Sequence, residues 1–406
     1  MRAFPWIALL CLALLASGCD SRDRSETAPP HTPGVSDTEI RLGSSLPLTG
    51  HAGYLGTQTL RGAEAYLRHV NDEGGVHGRK ISLQVLDDSS DPPRCLANTQ
   101  RLIIDNDVLA LFCYVGTPTT VKVLSLVEEA RIPLVGMFTG ANALRQPFNR
   151  YVINIRASYY QETKAAVQHL VHDLGLRSIA VFYQYDAYGF DGLVGTELAL
   201  KEYDLEPVGR GSYIRGTRNV AEGLERIRRS GAQAVVMIGT YDACAQFINL
   251  ARERHYNPVF YTVSFVGAEE LARRIADSRG STVLMSQVMP PPVDGDDDNS
   301  AAEQYVRLLD KYYPGDTPSF VGLEGFMNAR IMVEGLMRAG RDLTREKLVS
   351  AIESIQDLKL GPGLTINYGP YDRQGLDAIF FTRLEQGRFV PFEDWPELKR
   401  ELEERP

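Results

Sequence analysis

From Glu39 onward, apolar residues alternate between a period of two and a period near 3.6, and that alternation restricts the chain to one class of architecture. Glu39 to Leu48 reads as a strand; Leu60, Ala63, Leu67 and Val70 then recur at helical spacing until Gly74-Gly75 stops them. Ile81, Leu83 and Val85 alternate again, Asp91-Pro92 opens a second helix, and Val108 to Cys113 is a continuous apolar strand of the kind covered on both faces. Pro133 to Val135 and Tyr151 to Ile155 continue the rhythm. A second series repeats the plan with strands over Ser178 to Tyr183, Glu206 to Ser212, Ala234 to Ile238 and Val259 to Tyr261. Helices over Gly189 to Tyr203, Val220 to Ser230 and Ala243 to Glu253 separate them. Two α/β units with parallel sheets, in tandem, are the simplest reading. Strand Thr282 to Ser286 and an irregular Pro/Asp stretch, Met289 to Asn299, precede three helical patterns, Ala301 to Tyr312, Phe320 to Ala339 and Thr344 to Ser354. The tail is β again, with Ala378 to Leu384 and Phe389 to Phe392 flanking a Gln386-Gly387 turn.

The N-terminus sets the expected compartment. Arg2, an apolar run from Trp6 to Leu15 and then Ala16-Ser17-Gly18-Cys19 read as a signal peptide over 1–19 whose cysteine becomes the lipidated first residue of the mature chain. Asp20 to about Val35 is polar and Pro-containing, a flexible tether. The remaining stretch of about 370 residues suits two domains. The expected location is therefore the periplasm, with a lipid anchor to the membrane. No later segment is long and apolar enough to span a bilayer. Fifty-two acidic against 43 basic residues give a net charge of -9 with no basic tail, which argues against nucleic acid as a partner. Apart from Cys11 and Cys19, three cysteines remain: Cys95, Cys113 and Cys244. Cys95 with Cys113 is a candidate disulfide, one opening a helix and the other ending the next strand; three independent buried thiols are the alternative.

Phosphate loops, dinucleotide fingerprints, zinc-protease and serine-hydrolase motifs are absent, so neither a cofactor nor catalysis is implied. His169 and His172 share a helix face, with no third ligand apparent nearby in sequence, and the Asp294, Asp296, Asp297, Asp298 run lacks the glycine and glutamate of a calcium loop, so no metal is implied either. What stands out is small hydroxyls and aromatics at strand ends, where open α/β sheets bind ligands. Thr117 follows Val108–Cys113 at a helix start suited to an anionic group, or else serves as an ordinary N-cap before Pro118. Phe138 and Thr139 end the next strand, Tyr160 follows the fifth, and Tyr188 and Tyr241 lie at strand ends of the second unit.

At this point the residues resemble a known family. Leu46-Pro47-Leu48-Thr49-Gly50, Asn71-Asp72-Glu73-Gly74-Gly75-Val76-His77-Gly78-Arg79, Asp87-Asp88 and Tyr188-Gly189 are similar to the branched-chain amino acid (leucine/isoleucine/valine-binding-like) periplasmic substrate-binding proteins of ABC transporters. The resemblance runs from about Ile40 to Phe392. It implies a type I periplasmic-binding fold: two Rossmann-like lobes joined by three crossovers, with lobe 1 over 36–158 and 287–360, lobe 2 over 159–286 and 361–395, and a tail over 396–406. It also implies a monomer that closes over a small-molecule ligand and delivers it to permease subunits in the inner membrane; a receptor feeding a signalling protein would have the same pocket. Thr117, Phe138 and Thr139 match the family's carboxylate clamp, Tyr188 and Tyr241 its closing aromatics, and Tyr54 or Leu55 lies near its lid position. One departure stands out: the loop that carries an acidic residue for the ligand's ammonium reads Thr262-Val263-Ser264-Phe265-Val266 here. Unless Asp242 or Asp186 supplies the acid, Ser264 in that place widens the expected ligand to amides, organic acids and aromatic carboxylates.

Overall fold

The computed structural model describes residues 32–275, 280–292, 300–361 and 363–404. The signal-like stretch with Cys19, residues 20–31 of the expected tether and the loop 294–298 lie outside the described residues. Residues 32–35 already belong to the globule. Arg41 N–H donates to the Gly34 carbonyl at 2.8 Å, and a Cβ on Gly34 would sit 2.1 Å from the Leu109 nitrogen.

Strands β1 (Glu39–Leu46), β2 (Lys80–Asp87), β3 (Ala110–Phe112), β4 (Leu134–Val135) and β5 (Val152–Ile153) form a parallel sheet in the order β2-β1-β3-β4-β5. Helices α1 (Gly53–Asp72), α2 (Pro92–Ile104) and α3 (Thr117–Glu129) connect its first four strands. α2 starts where the sequence places it: Asp91 Oδ1 accepts the Arg94 N–H at 2.8 Å. The third strand is shorter than the apolar run 108–113, because Cys113 turns to a φ of 54°.

The chain then crosses to a second sheet. It runs through α4 (Tyr159–Gln168), β6 (Ile179–Gln184), α5 (Ala187–Lys201), β7 (Gly209–Tyr213), α6 (Ala221–Arg229), β8 (Ala234–Ile238) and α7 (Tyr241–Glu253), then β9 (Val259–Thr262), α8 (Ala268–Arg274) and β10 (Val283–Gln287). It returns to the first sheet with α9 (Ala301–Tyr312), α10 (Phe320–Ala339), α11 (Arg345–Glu353) and a hairpin of β11 (Leu358–Gly361) and β12 (Leu364–Ile366). A third crossing delivers β13 (Phe380–Glu385), β14 (Arg388–Pro391) and α12 (Trp395–Glu403), the last a helix absent from the sequence reading. The second sheet is ordered β14-β13-β10-β9-β8-β6-β7, parallel except for the β13/β14 edge hairpin.

The first sheet is covered on both faces. Cys95, Leu102, Val123 and Val127 of α2 and α3 pack on one, and Ala63, Leu67, Phe326 and Leu348 of α1, α10 and α11 on the other. α1 and α10 cross at backbone contact: a Cβ on Gly62 would lie 1.8 Å from the Gly322 carbonyl oxygen, and one on Gly325 2.0 Å from that of Thr59. Leu364, Ile366, Tyr368 and Leu376 belong to this same core, and Leu376 N–H donates to Ile155 at 2.8 Å. The segment after 360 thus stays with the first sheet until β13.

The two faces also decide the cysteines. Cys95 lies in the α2/α3 core, while Cys113 lies in the core on the α1/α10 side, where Asn328 Nδ2 donates to its sulfur at 3.7 Å. The expected Cys95–Cys113 disulfide is therefore not formed: a sheet separates the thiols, and Cys95, Cys113 and Cys244 are all free and buried. Burial pushes all three thiols well above the usual range.

Candidate functional site

The carboxyl ends of the two sheets face one another, and the loops leaving them build the site. The Leu46-Pro47-Leu48-Thr49-Gly50 segment is fastened to the end of β2. Asp87 accepts from Leu48 N–H at 2.9 Å and Thr49 Oγ1 at 2.6 Å, and Asp88 accepts from Ser45 Oγ at 3.0 Å and Ser90 N–H at 2.8 Å. Burial pushes the Asp88 carboxyl up to about 6. The two acidic residues therefore serve as loop fasteners.

The ends of β3 and β4 are joined by a parallel bridge between Val115 and Phe138, with Phe138 N–H donating to Tyr114 at 2.7 Å and Gly116 N–H to Phe138 at 3.2 Å. That register brings Thr117 and Thr139 together, their hydroxyls 2.7 Å apart, with Tyr159 Oη 3.3 Å from Thr139. The capping alternative for Thr117 fails: Gly116 is the N-cap residue, Thr117 is already helical, and its hydroxyl turns to Thr139.

From the facing sheet, Tyr188 and Phe265 approach this hydroxyl pair. The rings of Phe138, Tyr159 and Tyr188 lie 5.6, 6.4 and 4.7 Å from that of Phe265, and Tyr159 and Tyr188 are 5.2 Å apart. Tyr188 Oη donates to the Gly239 carbonyl at 3.0 Å, which fixes the ring. Beside this aromatic wall is a cavity of about 20 Å³, lined by the Val115–Gly116 backbone and Thr119 on one side and by Gln184, Tyr188 and Thr240 on the other. That volume suits about one water, so an amino-acid-sized ligand enters only if the lobes part.

The other expected residues divide. Tyr54 and Tyr241 meet edge to face at 6.1 Å across the gap; Tyr54 donates to Glu269 at 3.2 Å, and Arg274 lies 4.7 Å over Tyr241. They form one rim of the cleft. Tyr160 is not brought to the site: it follows Tyr159 on α4, and its ring packs on Gly195 of α5, where a Cβ would meet it at 2.9 Å. Ser264 is at the site, but not alone. Its N–H and hydroxyl donate to Glu162 at 2.8 and 3.0 Å.

Glu162 belongs to a buried ionic cluster that sequence reasoning missed. Arg156, with no exposed surface, reaches Glu162 at 3.0 Å and Glu324 at 3.3 Å, and also donates to Ser264. Its guanidinium stands 5.2 Å from the Phe138 ring and 5.7 Å from that of Tyr159. Burial holds the Glu324 carboxyl above its ordinary value against the pull of Arg156. The available signal was Glu324 itself, a carboxylate within the apolar stretch 320–329 that needs a buried partner. The acidic group absent from the 262–266 loop is thus present in space, contributed by α4. Neither Asp186 nor Asp242 stands in for it. Asp186 caps α5, accepting from Tyr188 N–H at 3.0 Å, and Asp242 pairs with Arg218 at 2.9 Å and Arg274 at 2.6 Å.

His169 and His172 do have a carboxylate beside them, Asp173, at 2.6 and 2.7 Å; His169 stacks on Trp395 at 4.0 Å. Among the described residues no group of three such side chains is arranged to hold a metal ion.

Comparison with known proteins agrees with this geometry. The periplasmic binding protein family model matches residues 39–388. A possible leucine/isoleucine/valine-binding protein from Rhodopirellula baltica is 31% identical, covering 92% of this chain and 100% of that one, with a TM-score of 0.84. A substrate-binding periplasmic protein from Ralstonia solanacearum is 30% identical, covering 87% and 100%, with a TM-score of 0.81. The Leu/Ile/Val-binding protein homolog 7 of Brucella abortus is 24% identical over 370 residues, 87% of this chain and 90% of that protein. Two mostly parallel sheets, crossed three times and facing each other over a cleft, with the match running through nearly all of both, place the chain in the periplasmic binding protein family, with its type I fold.

Proposed function

We propose that this chain is the lipid-anchored, extracytoplasmic solute receptor of an ABC importer, binding a small carboxylate- or amide-bearing molecule between its lobes and releasing it chemically unchanged to the permease. The observation that carries the reading is the convergence of groups from both sheets on one cavity: Val115, Gly116 and Thr119 from the first, Tyr188, Thr240 and Phe265 from the second, with the buried Thr117–Thr139 hydroxyl pair beside Gly116. A ligand gripped by one lobe alone leaves the cleft open. One gripped by both selects the closed form. Lobe 1 comprises residues up to about Ala157 with 288–379, lobe 2 the remainder, and Cys19 carries the lipid. The ligands named for the relatives, leucine, isoleucine and valine, belong in the first panel, together with amides and organic acids, because Arg156 already occupies Glu162 and Glu324.

The test is a thermal-shift screen of the purified protein. A ligand that binds only the folded state raises the melting temperature, and Thr117→Ala is expected to weaken the same ligand by about 1 to 3 kcal/mol. If no member of the panel moves the transition, the receptor reading is wrong; if Thr117→Ala binds as the unaltered chain does, the hydroxyl pair is not the grip.

A further inference from the structure

The outer part of the same cavity carries a feature that a receptor for neutral amino acids does not need. His51, on the loop after β1, and Arg215, on the turn after β7, line it from opposite lobes. The turn brings them close because Gly216 adopts a φ of +75°, so that a Cβ there would lie 3.7 Å from His51 Nδ1. Among the described residues Arg215 makes no hydrogen bond, and its one ion pair, Nε to Asp186, is long at 3.9 Å. Asp186 is itself committed to capping α5 and to Gln184 Nε2 at 2.7 Å. The nearby Asp242 is taken by Arg218 and Arg274. The remaining polar lining, Ser90, Thr119, Gln184, Tyr188 and Thr240, is uncharged, and among the described residues no carboxylate lines the cavity. Burial and the neighbouring Arg215 both hold His51 below its ordinary value, as expected of two like charges drawn together as the lobes close.

Arg215 is a fixed cation and His51 beside it is held toward its neutral form while the cavity is empty; an anion placed between them favours closure and restores the charge of His51. A ligand ammonium at this place would be repelled by Arg215, which is discrimination by an unfavourable contact. We propose, building on the receptor reading above, that the ligand is a small organic dianion: one carboxylate at the Gly116–Thr119 helix start, and a second anionic group held between His51 of one lobe and Arg215 of the other. Arg215 is then the residue that sets specificity against zwitterionic amino acids.

The experiment is calorimetric titration of the purified protein with glutarate, with valerate as the monoanion of equal chain length and with leucine as the zwitterion. Glutarate is expected to bind at least about tenfold tighter than either. Arg215→Gln and His51→Gln, both checked for an intact thermal transition, each collapse that ratio toward one. Leucine or valerate binding as tightly as glutarate, or a ratio indifferent to both substitutions, overturns the dianion assignment and leaves the receptor reading standing. Failure of glutarate while another molecule shifts the melting temperature has the same meaning; failure of every ligand in both assays removes the two together.

Discussion

Arg156 has no contact with water, and its guanidinium is balanced by two carboxylates that arrive from different directions, Glu162 on α4 and Glu324 on α10. Such a cluster is held by mutual completion: removing the cation leaves two buried carboxylates without a counter-charge, Glu162 keeping only neutral donors such as Ser264. Arg156→Met is accordingly expected to lower stability by about 3 to 5 kcal/mol, read as a fall in the urea midpoint. A loss below about 1 kcal/mol would mean that solvent reaches the carboxylates and that the cluster contributes little. Asp88 is the complementary case, a carboxylate raised by burial from 3.8 to about 6 in the folded chain. The unfolded state releases that proton first as pH rises, so the contribution of Asp88 is fully present below its unfolded value and lost through the folded one. Asp88→Asn has no such loss. Its stability relative to the unaltered chain should therefore improve between pH 4 and 7 in paired denaturation curves, and a difference independent of pH would contradict the assigned burial.

At the scale of elements, the α1/α10 crossing depends on the absence of side chains. Gly62→Ala would improve helix propensity by about 1 kcal/mol, but its methyl would stand 1.8 Å from the Gly322 carbonyl oxygen, a backbone atom that cannot rotate aside. The clash is the larger effect, and overpacking of this kind costs about 1 to 3 kcal/mol. A net drop in melting temperature is expected; a rise would show that the helices separate freely. The same crossing matters for the site, since α1 carries Tyr54 on the rim and α10 carries Glu324 in the ionic cluster. α3 makes the opposite use of its first turn. Thr119 and Thr120 donate back to Val115 and Gly116 carbonyls at 2.8 and 2.7 Å, which leaves Thr117 to face Thr139.

For the whole molecule, the contacts between the two lobes combine aromatic pairs, Phe138 with Phe265 at 5.6 Å and Tyr54 with Tyr241 at 6.1 Å, with polar bonds. Glu269 reaches from α8 to Tyr54 and to the Phe320 N–H at 2.9 Å, Asp191 of α5 accepts the Asn142 N–H at 3.0 Å, and Arg156 ties the crossing segment to both sides. Hydrogen bonds of this kind exchange with water at small net free energy, so the cost of separating the lobes lies mainly in exposing the aromatic pairs. Each sheet keeps the helices that cover it, which allows the halves to move as bodies while the cleft changes shape.

The sequence by itself determined the elements and their order, because apolar periodicity is a local property. Helices 301–312 and 320–339 and strand 234–238 were legible to the residue, and the strand-end hydroxyls Thr117 and Thr139 could be found from the rule that parallel sheets bind at their carboxyl ends. The missed α12 and the hairpin 358–366 are short pieces whose apolar residues matter only once a core lies beneath them. Tertiary structure alone decided which side of a sheet a residue occupies and what stands opposite. It separated Cys95 from Cys113, turned Tyr160 onto α5 and brought Glu162 to Ser264 over a separation of 102 residues. The physical reason is the same in each case: burial and charge compensation are settled between segments distant along the chain, so no local pattern records them.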